Sequence, residues 1–423
     1  MWRRPVTVIG ALCLCLVAGG ETPVSDALLL RQVRLRAIAN LNRLPDYTCT
    51  QTIERRVRRP QSRKFELQDV VRLEVALVSG KELFAWPGAK KFDDRPITDL
   101  VTGGAIGNGS FALHLKTIFE TKAPTFTFEG EENRDGRRTY HWKFEVPQNK
   151  SGYMMRAAGR EAIVGYHGSF YVDANTLDLI QLEVEAENIP PELKVMRARD
   201  SVEYSRETIG SETFLLPAAS ELQMVDQWNS ESFNRTRFSS CHQYQGESVI
   251  SFGDPAAAAK EMSKPAQVIE LPAGLILETD LETPISSESA AVGDAVTAVL
   301  HRPSKQHGVV MIPKGAVLRG RITLLRRQNA VRPSYVLGMD FDEVEFPGAV
   351  AKVHTVLDQI VSVNGSITMP GANRFGTRAQ YPELDPALGS VVFVKGDSFK
   401  LARGLGMIWR TAPEPAAEEK TKQ

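Results

Sequence analysis

A chain of 423 residues exceeds one ordinary domain and reads as two. Apolar residues make up 42% and charged residues 24%, which excludes both a disordered chain and a membrane-embedded one. Lys plus Arg and Asp plus Glu both number 51, so the basic excess of a general nucleic-acid binder is missing.

The chain opens with Met1-Trp2-Arg3-Arg4, an apolar run over residues 6–17, and the small residues Ala18-Gly19-Gly20. This is the pattern of a secretory signal peptide over residues 1–20, cut before Glu21. The run is shorter than the roughly 20 apolar residues a membrane span needs. Cys13 and Cys15 each follow a Leu, where a bacterial lipoprotein signal needs a small residue, so lipid attachment is not expected. No later stretch is long and apolar enough to span, so no transmembrane segment is expected after leader removal. Losing Arg3 and Arg4 leaves 49 basic against 51 acidic side chains, a net charge of −2. The expected location is the periplasm, the outer-membrane periphery or the medium. Two cysteines, Cys49 and Cys241, then reach an oxidising compartment and are expected to form a disulfide, the alternative being two buried thiols.

Ser25-Asp26 reads as the cap of a helix to about Leu44, with Leu30, Val33, Ala37, Leu41 and Leu44 on one face and Pro45 ending it. Residues 47–54 read as the first strand. Alternation over Val71, Leu73, Val75 and Leu77, over Tyr140, Trp142, Phe144 and Val146, and over Ile180, Leu182, Val184 and Ala186 predicts antiparallel strands with one buried and one wet face. Asp135-Gly136 marks a hairpin turn, and further strands are expected near 197–208, 219–228 and 233–252. The Gly-rich stretch 103–109 leads into a helix over 110–121. It lacks GKS/T and GxGxxG, so it reads as a turn into a packing helix rather than a phosphate cradle. The first domain therefore spans 25–252, followed by a Pro- and Ala-rich linker at 253–266. Residues 267–411 change texture: short strands punctuated by Gly and Pro, such as Leu275, Leu277 and Leu281 alternating with Glu278, Asp280 and Glu282, predict an all-β barrel or sandwich. Residues 412–423 read as a disordered tail. The fold class is mainly β with α: an N-terminal helix plus a curved antiparallel sheet forming an α+β half-barrel, then a small β-barrel or sandwich domain.

Two resemblances follow from these residues. The helix before Tyr47, the one-faced strands, and the segment Gly168-Ser169-Phe170-Tyr171-Val172-Asp173 followed by Leu177-Asp178-Leu179-Ile180-Gln181-Leu182 resemble the bacterial lipoprotein-carrier or lipoprotein-sorting fold over roughly 25–252. That resemblance implies a curved sheet around an apolar cavity. Leu271-Pro272-Ala273-Gly274, Val292-Gly293-Asp294-Ala295-Val296 and Ile312-Pro313-Lys314-Gly315 with Gly320 are similar to the C-terminal β-barrel of the outer-membrane-complex component of conjugation and type IV secretion systems, over about 268–347. That resemblance implies a barrel used as a docking module.

Chemistry leaves few marks. His114, His141, His167, His242, His301, His307 and His354 form no HExxH or other close metal-ligand spacing, and no GxSxG occurs. Asp93-Asp94, Asp340 with Asp342 and Glu343 with Glu345 read as wet strand faces. No catalytic, cofactor-binding or metal residue is assigned, and no cofactor is expected. The candidate apolar cavity lining is Tyr140, Trp142, Phe144, Ile180, Leu182 and Val184, the alternative being ordinary core plugged by Leu30, Val33 and Leu41. The resulting expectation is an exported, non-enzymatic envelope protein that binds an apolar ligand or an envelope protein partner, not nucleic acid, through the first domain and docks through the second. Two alternatives stay open: a purely structural or assembly protein of the envelope or secretion apparatus, and a hydrolase without a recognisable motif.

Overall fold

A computed structural model describes residues 25–244, apart from 90, 91, 93, 102, 108 and 110, and then 267–328, 333–361, 366–369 and 390–413. The leader, the expected linker at 253–266, Asp93 and nearly all of the expected tail lie outside the described residues.

The first region is one helix followed by an eleven-stranded antiparallel sheet curled into a half-barrel. Helix α1 runs Asp26–Arg43. The strands are β1 (Tyr47–Arg58), β2 (Glu66–Val78), β3 (Lys81–Ala85), β4 (Thr125–Arg134), β5 (Arg137–Val146), β6 (Tyr153–Ala157), β7 (Arg160–Asp173), β8 (Leu179–Glu187), β9 (Val195–Ile209), β10 (Glu212–Asp226) and β11 (Glu231–Gln243). Their spatial order is β3-β2-β1-β11-β10-β9-β8-β7-β5-β4, with β6 paired to β7. Two short helices, α2 (Ile97–Leu100) and α3 (Leu113–Glu120), interrupt the run between β3 and β4.

Chain start and chain end of this region meet in mid-sheet, because β1 pairs with β11 along nearly its whole length. The Cys49–Cys241 bond crosses that pair, with Cα atoms 4.1 Å apart and a sequence separation of 192. The pairing slips between Thr48 and Thr50, and Ser240 takes φ +52°, a bulge that turns Cys241 toward its partner. Cys49 is buried among Tyr47 and Val75, whereas Cys241 is only half-buried.

One local detail differs from expectation, and the Gly-rich stretch leads into the packing helix α3 as expected. The Ser25 side chain makes no cap; its backbone carbonyl accepts from the N–H groups of Leu28 and Leu29 instead. The Gly-rich stretch is strapped to the sheet. Buried Arg55 holds Asp69 through two bonds of 2.7 and 2.6 Å and donates to the Gly103 carbonyl at 2.5 Å, while Asn234 donates to the Ala105 carbonyl at 2.8 Å. Glu82 then accepts from the N–H groups of Gly109, Ala112 and Leu113, capping α3 with a carboxylate from β3. The N–H groups of Gly109, Ala112 and Leu113 at the start of α3 are thus taken by a carboxylate of the same chain.

Among the described residues, the second region is a ten-stranded sheet that rolls on itself, with two separate two-stranded sheets beside it. Its strand His354–Ile360 returns to strand Ser334–Phe346, where Thr355 donates to the Phe341 carbonyl at 3.0 Å. Phe341 meets Trp409 edge-on at 4.9 Å in its core, beside Leu277 and Leu281. Gly320 sits where the ladder shifts register, and a Cβ there would lie 1.9 Å from the Asp340 carbonyl oxygen, so only glycine fits.

The two regions touch. Val292 forms a parallel bridge with Val71 on β2: Arg72 N–H donates to the Val292 carbonyl and Val292 N–H to the Val70 carbonyl, both at 2.8 Å. Arg72 pairs with Asp294. Gly293 has φ +99°, and a Cβ there would lie 2.3 Å from the Arg72 carbonyl oxygen and against the Trp86 ring. The apolar cluster around Val71 and Leu73 runs on without a break into Leu318 and Ile322.

Candidate functional site: the covered concave face

The concave face of the first sheet is aromatic because inner positions of adjacent strands fall in register. Trp142 and Phe144 on β5 pair with Phe170 and Gly168 on β7, which pair in turn with Leu182 and Val184 on β8. The Trp142 and Phe170 rings stack at 5.3 Å, and Phe128 from β4 leans on Trp142 at 4.9 Å. Of the residues expected to line a cavity, Trp142, Phe144, Leu182 and Val184 are buried in this one cluster. Tyr140 stands at its margin, half-buried, 6.0 Å from Trp142. Ile180 is left out. Pairing slips between Tyr171 and Val172, so Leu179 takes the inner place and Ile180 is only partly covered.

Two helices lie on this bed. Leu29 and Val33 are the buried residues of α1, with Leu30, Ala37 and Leu41 partly buried beside them; α3 contributes Leu115, Ile118 and Phe119. Phe119 meets Phe170 edge-on at 5.1 Å. The inner stripe of α1 keeps the expected Leu30, Val33, Ala37 and Leu41 and adds Leu29, which is more deeply buried than Leu30. The space under the sheet is filled. A cavity of about 10 Å³ persists between Ala37, Asn40, Leu115, Leu179 and Leu215, enough for about one water. An apolar ligand site needs about 300 Å³ or more.

Polar contacts hold α1 at its sides. Arg34 donates to the Phe119 and Thr121 carbonyls at 3.0 and 2.9 Å, just past the end of α3. Asn40 exchanges two bonds with the Leu215 backbone at 3.0 and 3.1 Å. Arg36 reaches Asp178, which also takes Arg206. Arg43 and Glu212 form a pair in full solvent. The outer face of α1 carries a groove of about 280 Å³ along Ala27, Leu30, Arg34, Leu35 and Ile38. Leu35 is 57% exposed.

One feature of this face escapes the sequence patterns. His114 on α3 lies 3.2 Å from Asp200 on β9, the Asp200 side chain being buried and His114 largely covered. The available signal is that Asp200 occupies an inner position between buried Ala198 and Val202, where a carboxylate needs a partner. The partner lies on a helix 86 residues earlier, and no local spacing reveals it. Among the described residues no helix is long and apolar enough to cross a membrane.

No protein-family model matches the chain. No curated protein matches it. Two solved structures are similar to it in part. One is a DUF1329 family protein from Desulfovibrio piger, 13% identical, covering 53% of this chain and 96% of that one with a TM-score of 0.29. The other is a domain from Vibrio parahaemolyticus described as an outer membrane lipoprotein-sorting protein, 12% identical, covering 49% of this chain and 92% of that one with a TM-score of 0.27. A likeness at this level carries no argument about function.

Proposed function

We propose that the protein is an exported, non-enzymatic envelope protein that takes an apolar ligand, or an apolar segment of a protein partner, onto the concave face of its first sheet in place of α1. The second sheet serves as the docking module. The leader and the Cys49–Cys241 bond support export to an oxidising compartment.

The observation that carries the reading is the thin seating of α1 on a broad aromatic bed. Two buried side chains, Leu29 and Val33, anchor the helix. At about 1.5–3 kcal/mol each, these two contribute about 3–6 kcal/mol of apolar burial, to which partly buried Leu30, Ala37 and Leu41 and the Arg34 and Asn40 bonds add. A ligand that buried about 400 Å² of apolar surface on Trp142, Phe144, Phe170 and Leu182 would gain about 10 kcal/mol. Such a ligand competes with the helix for the same face. The rival reading, a structural protein whose helix is permanent core, draws on the filled space under the sheet.

A titration with the apolar fluorophore Nile red separates the two. The exported chain is expected to bind the dye saturably, and Leu29→Ala/Val33→Ala, which loosens the plug, is expected to bind it about ten-fold more tightly. No saturable binding by either protein favours the structural reading.

A further inference from the structure

Under the N-terminal end of α3 the concave face turns polar. Tyr47 on β1, Tyr166 on β7 and Tyr204 on β9 each bury a phenolic hydroxyl that has no hydrogen-bond partner among the described residues. Tyr47 is fully buried against Phe111, with ring centroids 4.9 Å apart. Tyr153 stands edge-on to both His114 and Tyr166, at 5.8 Å from each, and so links the His114–Asp200 pair to the phenols. Tyr204 lies within electrostatic range of Asp200, Tyr47 and Glu82. Four strands and a helix thus converge on one polar patch at the edge of an otherwise apolar bed.

We infer that these phenols form the polar end of the binding face, reached when the first turn of α3 lifts together with α1, and that the ligand carries a neutral, oxygen-bearing group such as an ester or hydroxyl at one end of an apolar body. This rests on the apolar-binding reading above and names its ligand class. Burial pushes the Tyr47 and Tyr204 phenols far above their ordinary value, helped by the carboxylates of Glu82 and Asp200, and pushes Tyr166 up to about 12. They stay protonated and offer O–H donors to an acceptor oxygen. The same two carboxylates repel a ligand carboxylate or phosphate in this low-dielectric setting. A ligand cation finds Glu82 already engaged by three backbone N–H groups and Asp200 by His114. A neutral acceptor meets neither obstacle.

The test displaces Nile red from the whole exported chain with monooleoylglycerol or with oleate, which share one acyl chain, each below its aggregation concentration. Monooleoylglycerol is expected to compete at least about ten-fold better. Tyr47→Phe/Tyr204→Phe is expected to bring the two within about two-fold while leaving oleate where it was. Oleate competing equally or better, or a preference that survives the Phe substitutions, overturns the polar end and leaves apolar binding standing. Neither lipid displacing the dye, or no dye bound at all, overturns both. The single variants Tyr204→Phe and Tyr166→Phe, each checked by thermal melting, keep the test open if the double variant does not fold. An unchanged or raised melting temperature with a lost preference supports the inference. A lowered melting temperature with the preference kept assigns the hydroxyls to structure and overturns it.

Discussion

The two sheets complete their cores in different ways. The second rolls until its own strands face each other, so Phe341, Trp409 and Leu277 pack side chains of one sheet against one another. The first stays open, and the inner faces of β5, β7 and β8 are covered by α1 and α3, which belong to no strand. Leu29, Val33, Leu115, Ile118 and Phe119 of this core therefore sit on helices that belong to no backbone ladder of the sheet. In the second, Leu277, Phe341 and Trp409 all stand on strands of the rolled sheet itself. The proposed binding face is therefore placed on the first region, whose cover is helical.

The sharpest way to break this contrast is to cut the bed rather than its cover. Trp142→Ala should cost about 3–5 kcal/mol in chemical denaturation, because the stacked Phe170 and Phe128 rings lose their partner. Leu29→Ala should cost about 2 kcal/mol, the low end for its type, since a lightly held helix can resettle over the gap. Equal losses at the two sites would make α1 an ordinary core element.

Reduction of Cys49–Cys241 should come next, at about 2–4 kcal/mol, read from denaturation with and without reductant. The fold should persist, since β1 and β11 stay paired from Thr50 to Arg58. Loss of the sheet on reduction would mean that the bond, not the ladder, holds the first region closed.

The contact between the regions gives a smaller effect. We propose that protease cuts first within 253–266 and leaves two fragments, which stay together through the Val71–Val292 bridge. Gly293→Val, which drives a side chain into the Arg72 carbonyl and the Trp86 ring, should let the cut fragments separate on a sizing column. Fragments that remain associated in the variant would move the docking energy to the apolar cluster alone. Smallest of all, Arg43→Ala should change stability by under about 1 kcal/mol, because its pair with Glu212 stands in solvent.

Much of this contrast was legible from residue patterns. Period-2 alternation located the inner faces of β2, β5 and β8, and the change of texture after residue 266 marked the second sheet. Alternation fails wherever pairing slips, since a bulge is a property of two strands and only one is read at a time. Ile180 was mis-phased for that reason, and Leu29 was missed because the roll of α1 depends on where α3 sits. The cysteine count pointed to the bond but not to its place in mid-sheet beside a bulge. His114 and Asp200 meet only because the capped α3 is laid across β9, a contact that neither segment encodes by itself.

The movable cover is most directly tested by amide hydrogen exchange with and without monooleoylglycerol at saturation. The expected result is faster exchange along α1, from Leu29 to Leu41, while β5, β7 and β8 keep their protection. Unchanged or slower exchange in α1 with the lipid bound would contradict a ligand that takes the place of the helix.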